Sequence, residues 1–299
     1  MPIPDHDLDC AAAILRRGGL VAFPTETVYG LGANALDREA ILKIYAAKGR
    51  PATSPLIVHI ASFDMLLDVA ADWPDAAQKL AERFWPGPLT LVVRKTNKIP
   101  DEVTAGLNTV GVRMPAHPIA KELIRRAGVP LAAPSANLFT QVSPTTAEHV
   151  REGLGDRVEM ILDGGPCTVG IESTVLSLAG SAPVLLRPGM VSLAEIQSVI
   201  GPVDTLHEPS GSAHASPGLH HRHYSPRTPL YLLATDQTPP EGRGKFIEMP
   251  SRPDEYAAKL YSALRAADAE RWDWIAVRKP PETAEWSAIW DRLRRAAAP

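Results

Sequence analysis

Cysteine is nearly absent: two occur, Cys10 and Cys167, far apart in the chain. That excludes a disulfide scaffold and a zinc site built on paired thiolates, and it fits a reducing compartment. No apolar run approaches the roughly 20 residues that span a bilayer. The first nine residues carry three aspartates where a leader would be basic and apolar. A soluble, cytoplasmic protein is the expectation. An excess of positive charge is also missing, since 31 Lys+Arg stand against 34 Asp+Glu for a formal charge of -3. Broad attraction to a nucleic-acid backbone is therefore disfavoured, and any anion site has to be local. Neither G-x-x-x-x-G-K-[ST] nor G-x-S-x-G occurs, which removes a P-loop and a nucleophile elbow. Internal repeats are lacking as well.

Proline, by contrast, is abundant at 29 of 299 residues and gathers in loops, which suggests rigidly shaped connections. The length predicts two domains. Helical periodicity over residues 7–17, 37–47, 62–70, 75–84, 117–127, 146–153 and 192–200 alternates with strand patterns. Those fall at 20–23, 56–60, 89–94, 109–113, 130–133, 160–162, 174–178 and 184–186. The class is α/β, and because several strand pairs lack room for a crossover helix the sheet is expected to be mixed. Residues 201–226 break into Pro, Ser, Gly and His and read as a linker or lid. After it, strands at 230–233, 245–248 and 275–278 alternate with helices at 254–269 and 283–297. The predicted division is a domain over 1–200, a linker over 201–226 and a small domain over 227–299.

The most telling segment is Ala47-Lys48-Gly49-Arg50-Pro51. A helix stopping at Gly49, with Pro51 forbidding its return, leaves Lys48 and Arg50 on a helix-exit loop. Two cations so placed suit a polyphosphate, and equally suit plain neutralisation of a helix C-terminus. Gly30-x-Gly32-x-x-Ala35 matches the dinucleotide fingerprint loosely, but Pro24-Thr25-Glu26-Thr27-Val28-Tyr29 intervenes after the strand. Those residues offer a ligand three hydroxyls and a carboxylate. Pro134-Ser135-Ala136-Asn137 follows a short apolar strand and is either a ligand-binding strand end or a self-satisfied turn. Arg113, on a strand, serves as a surface cation or a carboxylate fork. Glu172-Ser173-Thr174 reads as a turn entering a strand, and Leu186-Arg187-Pro188-Gly189 as a strand ending on a cation. His59 on its apolar strand reads first as a satisfied core histidine. The run His220-His221-Arg222-His223 has no second ligand cluster, so no metal site is expected.

Taken in order, several motifs closely resemble the YrdC/Sua5 family, the threonylcarbamoyl-AMP synthases. They are Phe23-Pro24-Thr25-Glu26-Thr27-Val28-Tyr29-Gly30-Leu31-Gly32, Ala47-Lys48-Gly49-Arg50-Pro51 and Pro55-Leu56-Ile57-Val58-His59. Trp85-Pro86-Gly87-Pro88-Leu89-Thr90, Gly111-Val112-Arg113-Met114-Pro115, Ala133-Pro134-Ser135-Ala136-Asn137 and Leu186-Arg187-Pro188-Gly189 continue the series. The resemblance covers about residues 8–200. Ser216-Pro217-Gly218 and His223-Tyr224-Ser225-Pro226 look like the linker of the long, Sua5-type form with an appended C-terminal domain. The implied fold is a twisted mixed sheet with flanking helices, plus a small Rossmann-like α/β domain. The implied reaction joins L-threonine, bicarbonate and ATP, with Mg²⁺, into threonylcarbamoyl-adenylate and pyrophosphate. Its product feeds the N6-threonylcarbamoyladenosine modification of adenosine 37 in tRNA through a downstream transferase complex, with weak tRNA contact as a further implication.

Carried over by motif, Lys48, Arg50, Ser54, Thr109, Ser135, Asn137, Ser143, Arg187 and Tyr224 would line the ATP side, with Lys48, Arg50 and Arg187 meeting the reacting phosphates. Thr27, His59, Arg113, Ala133 and Ser173 would meet threonine. The labile carbamate and adenylate give a water-excluding lid a purpose, and Arg222, His223 and Tyr224 are its candidates. In two places the chain departs from the family pattern. Leu219-His220 stands where the linker commonly has methionine and a basic residue, and the last domain, at about seventy residues, is short for the Sua5 form. Two rival readings are a non-enzymatic RNA-binding module, disfavoured by the near-neutral charge, and a carbamoyl-phosphate-using carbamoyltransferase-related domain. The latter lacks its accompanying zinc-finger-like cysteines here.

Overall fold

In the computed structural model, residues 3–205 and 223–298 are described. A ten-stranded sheet runs in the order Asp204–Thr205, Val184–Arg187, Thr174–Ser177, Leu89–Arg94, Thr109–Arg113, Ile57–His59, Leu131–Ala132, Gly30–Asn34, Val21–Phe23, Met160–Ile161. Parallel neighbours (Ile57–His59 with Thr109–Arg113, Leu89–Arg94 with Thr174–Ser177) alternate with antiparallel ones, so the sheet is mixed as the short connections demand. Two strands were not foreseen: Asp204–Thr205, in the segment read as linker, pairs parallel with Val184–Arg187 at the sheet edge, and Gly30–Asn34 lies within it. Gly30–Asn34, whose glycines resemble a nucleotide fingerprint, pairs antiparallel with Val21–Phe23 as the second arm of a hairpin. Residues 62–70 form a 3-10 turn, Phe63–Met65, and a four-residue helix, Leu66–Val69, in place of one long helix.

Helices cover the sheet because their apolar stripes have nowhere else to go. Arg38–Lys48 buries Ala40, Ile41, Ile44 and Tyr45 against Leu31, Ala33 and Val58. Its start is fixed by Asp37, whose carboxylate accepts from the N–H groups of Glu39 and Ala40, and its end by Gly49 in the left-handed region at φ 62°. Lys48 is therefore the last helical residue, not part of the exit loop, and its side chain turns inward. Asp5–Arg16 and Pro118–Ala127 pack together over Val21, Phe23 and Leu131.

A separate three-stranded parallel sheet, Leu230–Leu233, Trp274–Arg278 and Gly244–Ile247, carries the helices Pro253–Ala269 and Ser287–Ala296. Its core, with Tyr256, Leu260, Tyr261, Ile289 and Leu293, runs on without a break into Val28, Val142, Ile171 and Tyr224. The two sheets thus share buried surface. Gly170, at φ +79°, lets the contact close: a Cβ there would sit 2.5 Å from the carbonyl oxygen of Ala257. Gly170→Ala is expected to cost about 2 kcal/mol or more, combining left-handed strain with a backbone clash. The urea midpoint followed by circular dichroism measures it, and an unmoved midpoint would contradict this packing. Among the described residues no helix is long and apolar enough to cross a membrane. The histidine-rich run at 220–222, Arg222 included, and the motif at 216–219 lie outside the described residues.

Candidate active site

Register builds the site. The pairs Ile57↔Gly111 and His59↔Arg113 place His59 and Arg113 side by side at the ends of parallel strands. Thr174 lies beside Leu89 and Val175 beside Arg187, which brings Ser173 and Arg187 to the same region. The hairpin turn after Phe23 contributes Thr25 to Val28, and Gly30 bridges to Ser135. Gly30 and Ala133, with little or no side chain, leave room above the sheet for an open cleft. Arg50, Arg113 and Arg187 line it with Thr27, His59, Ser135, Ser173, Glu172, His223 and Tyr224.

All three guanidiniums are buried, at 7%, 4% and 3% exposure, which places local positive charge inside a chain of net negative charge. Arg50 donates through Nη2 to the Pro55 carbonyl (3.1 Å) and lies over the Phe139 ring, while its buried Nε has no hydrogen-bond acceptor among the described residues. Burial lowers its pKa to about 10. Behind it, the Lys48 ammonium donates to the carbonyls of Ser135 (2.5 Å) and Asn137 (2.6 Å), neutral partners both. Burial, then the Arg50 charge, hold Lys48 well below its ordinary value. An arriving anion would relieve both costs.

Arg113 is anchored differently. Nε donates to the Gly87 carbonyl (3.2 Å), Nη1 to the Thr27 hydroxyl (2.9 Å), and Nη2 lies 2.7 Å from Glu26 Oε1 in an ion pair bent away from hydrogen-bond alignment. The Glu26 carboxylate is thus engaged by Arg113 and by the Ala116 N–H rather than offered to a ligand. The Tyr29 hydroxyl likewise turns away, donating to the Gly165 carbonyl. Arg187 donates through Nε to the Ser173 carbonyl (3.1 Å) and through Nη2 to its hydroxyl (3.2 Å).

His59 stands edge-on to Phe23 with its Nδ1 unpartnered among the described residues. Burial and the neighbouring Arg113 charge drive its pKa down to about 3. The ring is accordingly a neutral hydrogen-bonding group at any physiological pH, not a proton carrier. Its NMR resonances are expected to stay flat between pH 5 and 8; a midpoint near 6.5 would contradict this environment.

Of the residues proposed from sequence, Thr27, Arg50, His59, Arg113, Ala133, Ser135, Ser173, Arg187 and Tyr224 line this one cleft. Lys48 adjoins it through Ser135. Ser143 donates to Glu172 Oε1 (2.7 Å), and Asn137 fastens its loop through Nδ2 to the Leu138 and Gln141 carbonyls. Ser54 is buried, its carbonyl accepting from the Tyr45 hydroxyl. Thr109 lines a smaller, mostly apolar pocket that shares Ile57 with the cleft. Sequence reasoning singled out neither Glu172 nor Arg292 as site residues. No local motif joins them, because they meet from 120 positions apart.

A mixed α/β sheet carrying a cleft lined by three buried guanidiniums, with an ammonium behind it and hydroxyls at its rim, defines a protein that handles small anionic, phosphate-bearing substrates. A family model described as telomere recombination matches residues 13–189, and one described as the C-terminal domain of threonylcarbamoyl-AMP synthase matches residues 191–298. The chain belongs to the YrdC/Sua5 family of threonylcarbamoyl-AMP synthases. A Bacillus subtilis threonylcarbamoyl-AMP synthase is 44% identical over 98% of this chain and 93% of that relative. Its counterpart from Pyrococcus abyssi is 42% identical over 99% and 95%. The crystal structure of P. abyssi Sua5 complexed with L-threonine superposes with a TM-score of 0.93 at 41% identity, covering 99% of this chain and 96% of that one.

Proposed function

We propose that the cleft is where this chain, a nucleotidyltransferase, joins L-threonine, bicarbonate and ATP into threonylcarbamoyl-adenylate. The observation that carries the reading is the convergence of Arg50, Arg113 and Arg187 in one buried cleft, with Lys48 behind Ser135. Arg113, flanked by the Thr27 hydroxyl and neutral His59, suits the threonine carboxylate, with Ser173 and Ala133 completing that side. Lys48, Arg50 and Arg187, with Ser135 and Tyr224, suit the triphosphate. Ser54, Thr109, Asn137 and Ser143 are assigned to the surrounding nucleotide wall.

The threonine amine forms a bond to the bicarbonate carbon with loss of water, and a carbamate oxygen then attacks the α-phosphorus as the bond to pyrophosphate breaks. No covalent enzyme intermediate is needed. The chain's contribution is positioning and stabilisation of charge on the phosphates. Mg²⁺ fits no protein-held site: among the described residues no three His, Cys, Asp or Glu groups gather, and Glu26 and Glu172 are taken by arginines. The ion would therefore enter on the nucleotide's own oxygens. The labile product would pass to a downstream transferase that modifies adenosine 37 of tRNA, and the near-neutral charge leaves any direct tRNA contact weak.

Pyrophosphate release tests the reading. It is expected to need ATP, bicarbonate and threonine together, and release independent of the amino acid would contradict it.

A further inference from the structure

We propose that Arg292, on the helix Ser287–Ala296, is a positioning residue for the triphosphate side of the cleft. It acts by neutralising the Glu172 carboxylate, whose charge would otherwise draw on Arg187 and oppose the nucleotide. The inference rests on the assignment of that side to ATP.

A carboxylate in the wall of a polyphosphate site opposes its ligand, and Glu172 is such a group: it lines the cleft one residue before Ser173, at 7% exposure. Its charge is answered from the C-terminal unit. Arg292, fully buried, donates through Nε to Glu172 Oε2 (2.8 Å) and through Nη2 to the Glu172 carbonyl (3.1 Å). Its Nη1 donates to the carbonyl of Pro188 (2.9 Å), the residue after Arg187, and to Asp291 (2.7 Å). One rigid fork therefore spans residues 172 and 188. The Glu172 carboxylate also accepts from the Ser143 hydroxyl on Oε1 (2.7 Å) and the Tyr261 hydroxyl on Oε2 (2.8 Å). Tyr224 is sandwiched in the same cluster, stacked on Tyr261 and under the Arg292 guanidinium.

Burial by itself would raise the Glu172 pKa, but Arg292 and then Arg187 outweigh it and keep the group ionised. With Arg292 removed, the remaining cation acting on this carboxylate among the described residues is Arg187, which is assigned to phosphate. An uncompensated Glu172 would draw on Arg187 and repel the nucleotide. A simple strut between the two units would behave otherwise, since restoring charge balance would not restore ligand affinity.

Full-length wild type, Arg292→Met, Glu172→Gln and the double variant Glu172→Gln/Arg292→Met would be compared by calorimetry with Mg-ATP and, separately, with threonine. Arg292→Met is expected to weaken Mg-ATP about tenfold or more while threonine affinity stays within about threefold. The double variant, which lacks both the Glu172 carboxylate and the Arg292 guanidinium, is expected to return to within about threefold of wild type for Mg-ATP. Wild-type nucleotide affinity in Arg292→Met, or no recovery in the double variant, overturns the proposal. If circular dichroism shows Arg292→Met unfolded, the double variant is read directly against wild type, and a tenfold loss overturns it. Binding without threonine-dependent pyrophosphate release would defeat the functional reading while leaving this comparison decisive.

Discussion

Replacing Lys48 and Arg50 together by alanine is expected to lower kcat/KM for ATP by about two orders of magnitude or more, roughly 3 kcal/mol of transition-state stabilisation. The size follows from the environment. Both cations are buried, so their attraction for phosphate is screened far less than that of surface charges, and Arg50 Nε already lacks an acceptor among the described residues. The scaffold should survive, because among the described residues Lys48 is held by two carbonyls and its removal strands no buried carboxylate. Circular dichroism and the urea midpoint would establish that. A folded variant with wild-type turnover would contradict the assignment of these residues to the triphosphate.

Arg113→Ala is expected to separate the substrates. Its loss removes a planar fork suited to a carboxylate and leaves Glu26 unpaired in the same corner, where it would repel threonine's own carboxylate. KM for threonine should rise about 100-fold or more, with ATP affinity within about threefold. Threonine titrations of pyrophosphate release and calorimetry with Mg-ATP measure the two effects. Equal losses for both substrates would show that Arg113 serves the fold rather than the amino-acid side.

Much of this arrangement was legible in the chain, and the legible parts share a cause. Helices with a cap and a glycine stop, such as Arg38–Lys48, announce themselves because local chemistry fixes their ends. The mixed sheet followed from connection lengths. Gly30–Asn34 escaped notice because its glycines, Gly32 held small by the Phe23 ring that a Cβ there would meet at 2.7 Å, erase the alternating apolar pattern that marks a strand. Lys48 read as a helix-end cation; that it turns inward to the Ser135 and Asn137 carbonyls depends on a loop almost ninety residues away. Arg292 had no signal at all. In sequence it is one of several arginines on an amphipathic helix, and tertiary packing alone sets it at 0% exposure against Glu172. Tyr224 adopts a left-handed φ of 59°, a strain that no composition rule anticipates and that its stacking between Tyr261 and Arg292 supports.

A crystal structure of the chain with a non-hydrolysable ATP analogue and L-threonine tests the central claim most directly. Phosphate oxygens within hydrogen-bond reach of Lys48, Arg50 and Arg187, with the threonine carboxylate on Arg113, are the predicted result. Nucleotide bound elsewhere, with those four side chains unmoved and untouched, would contradict it.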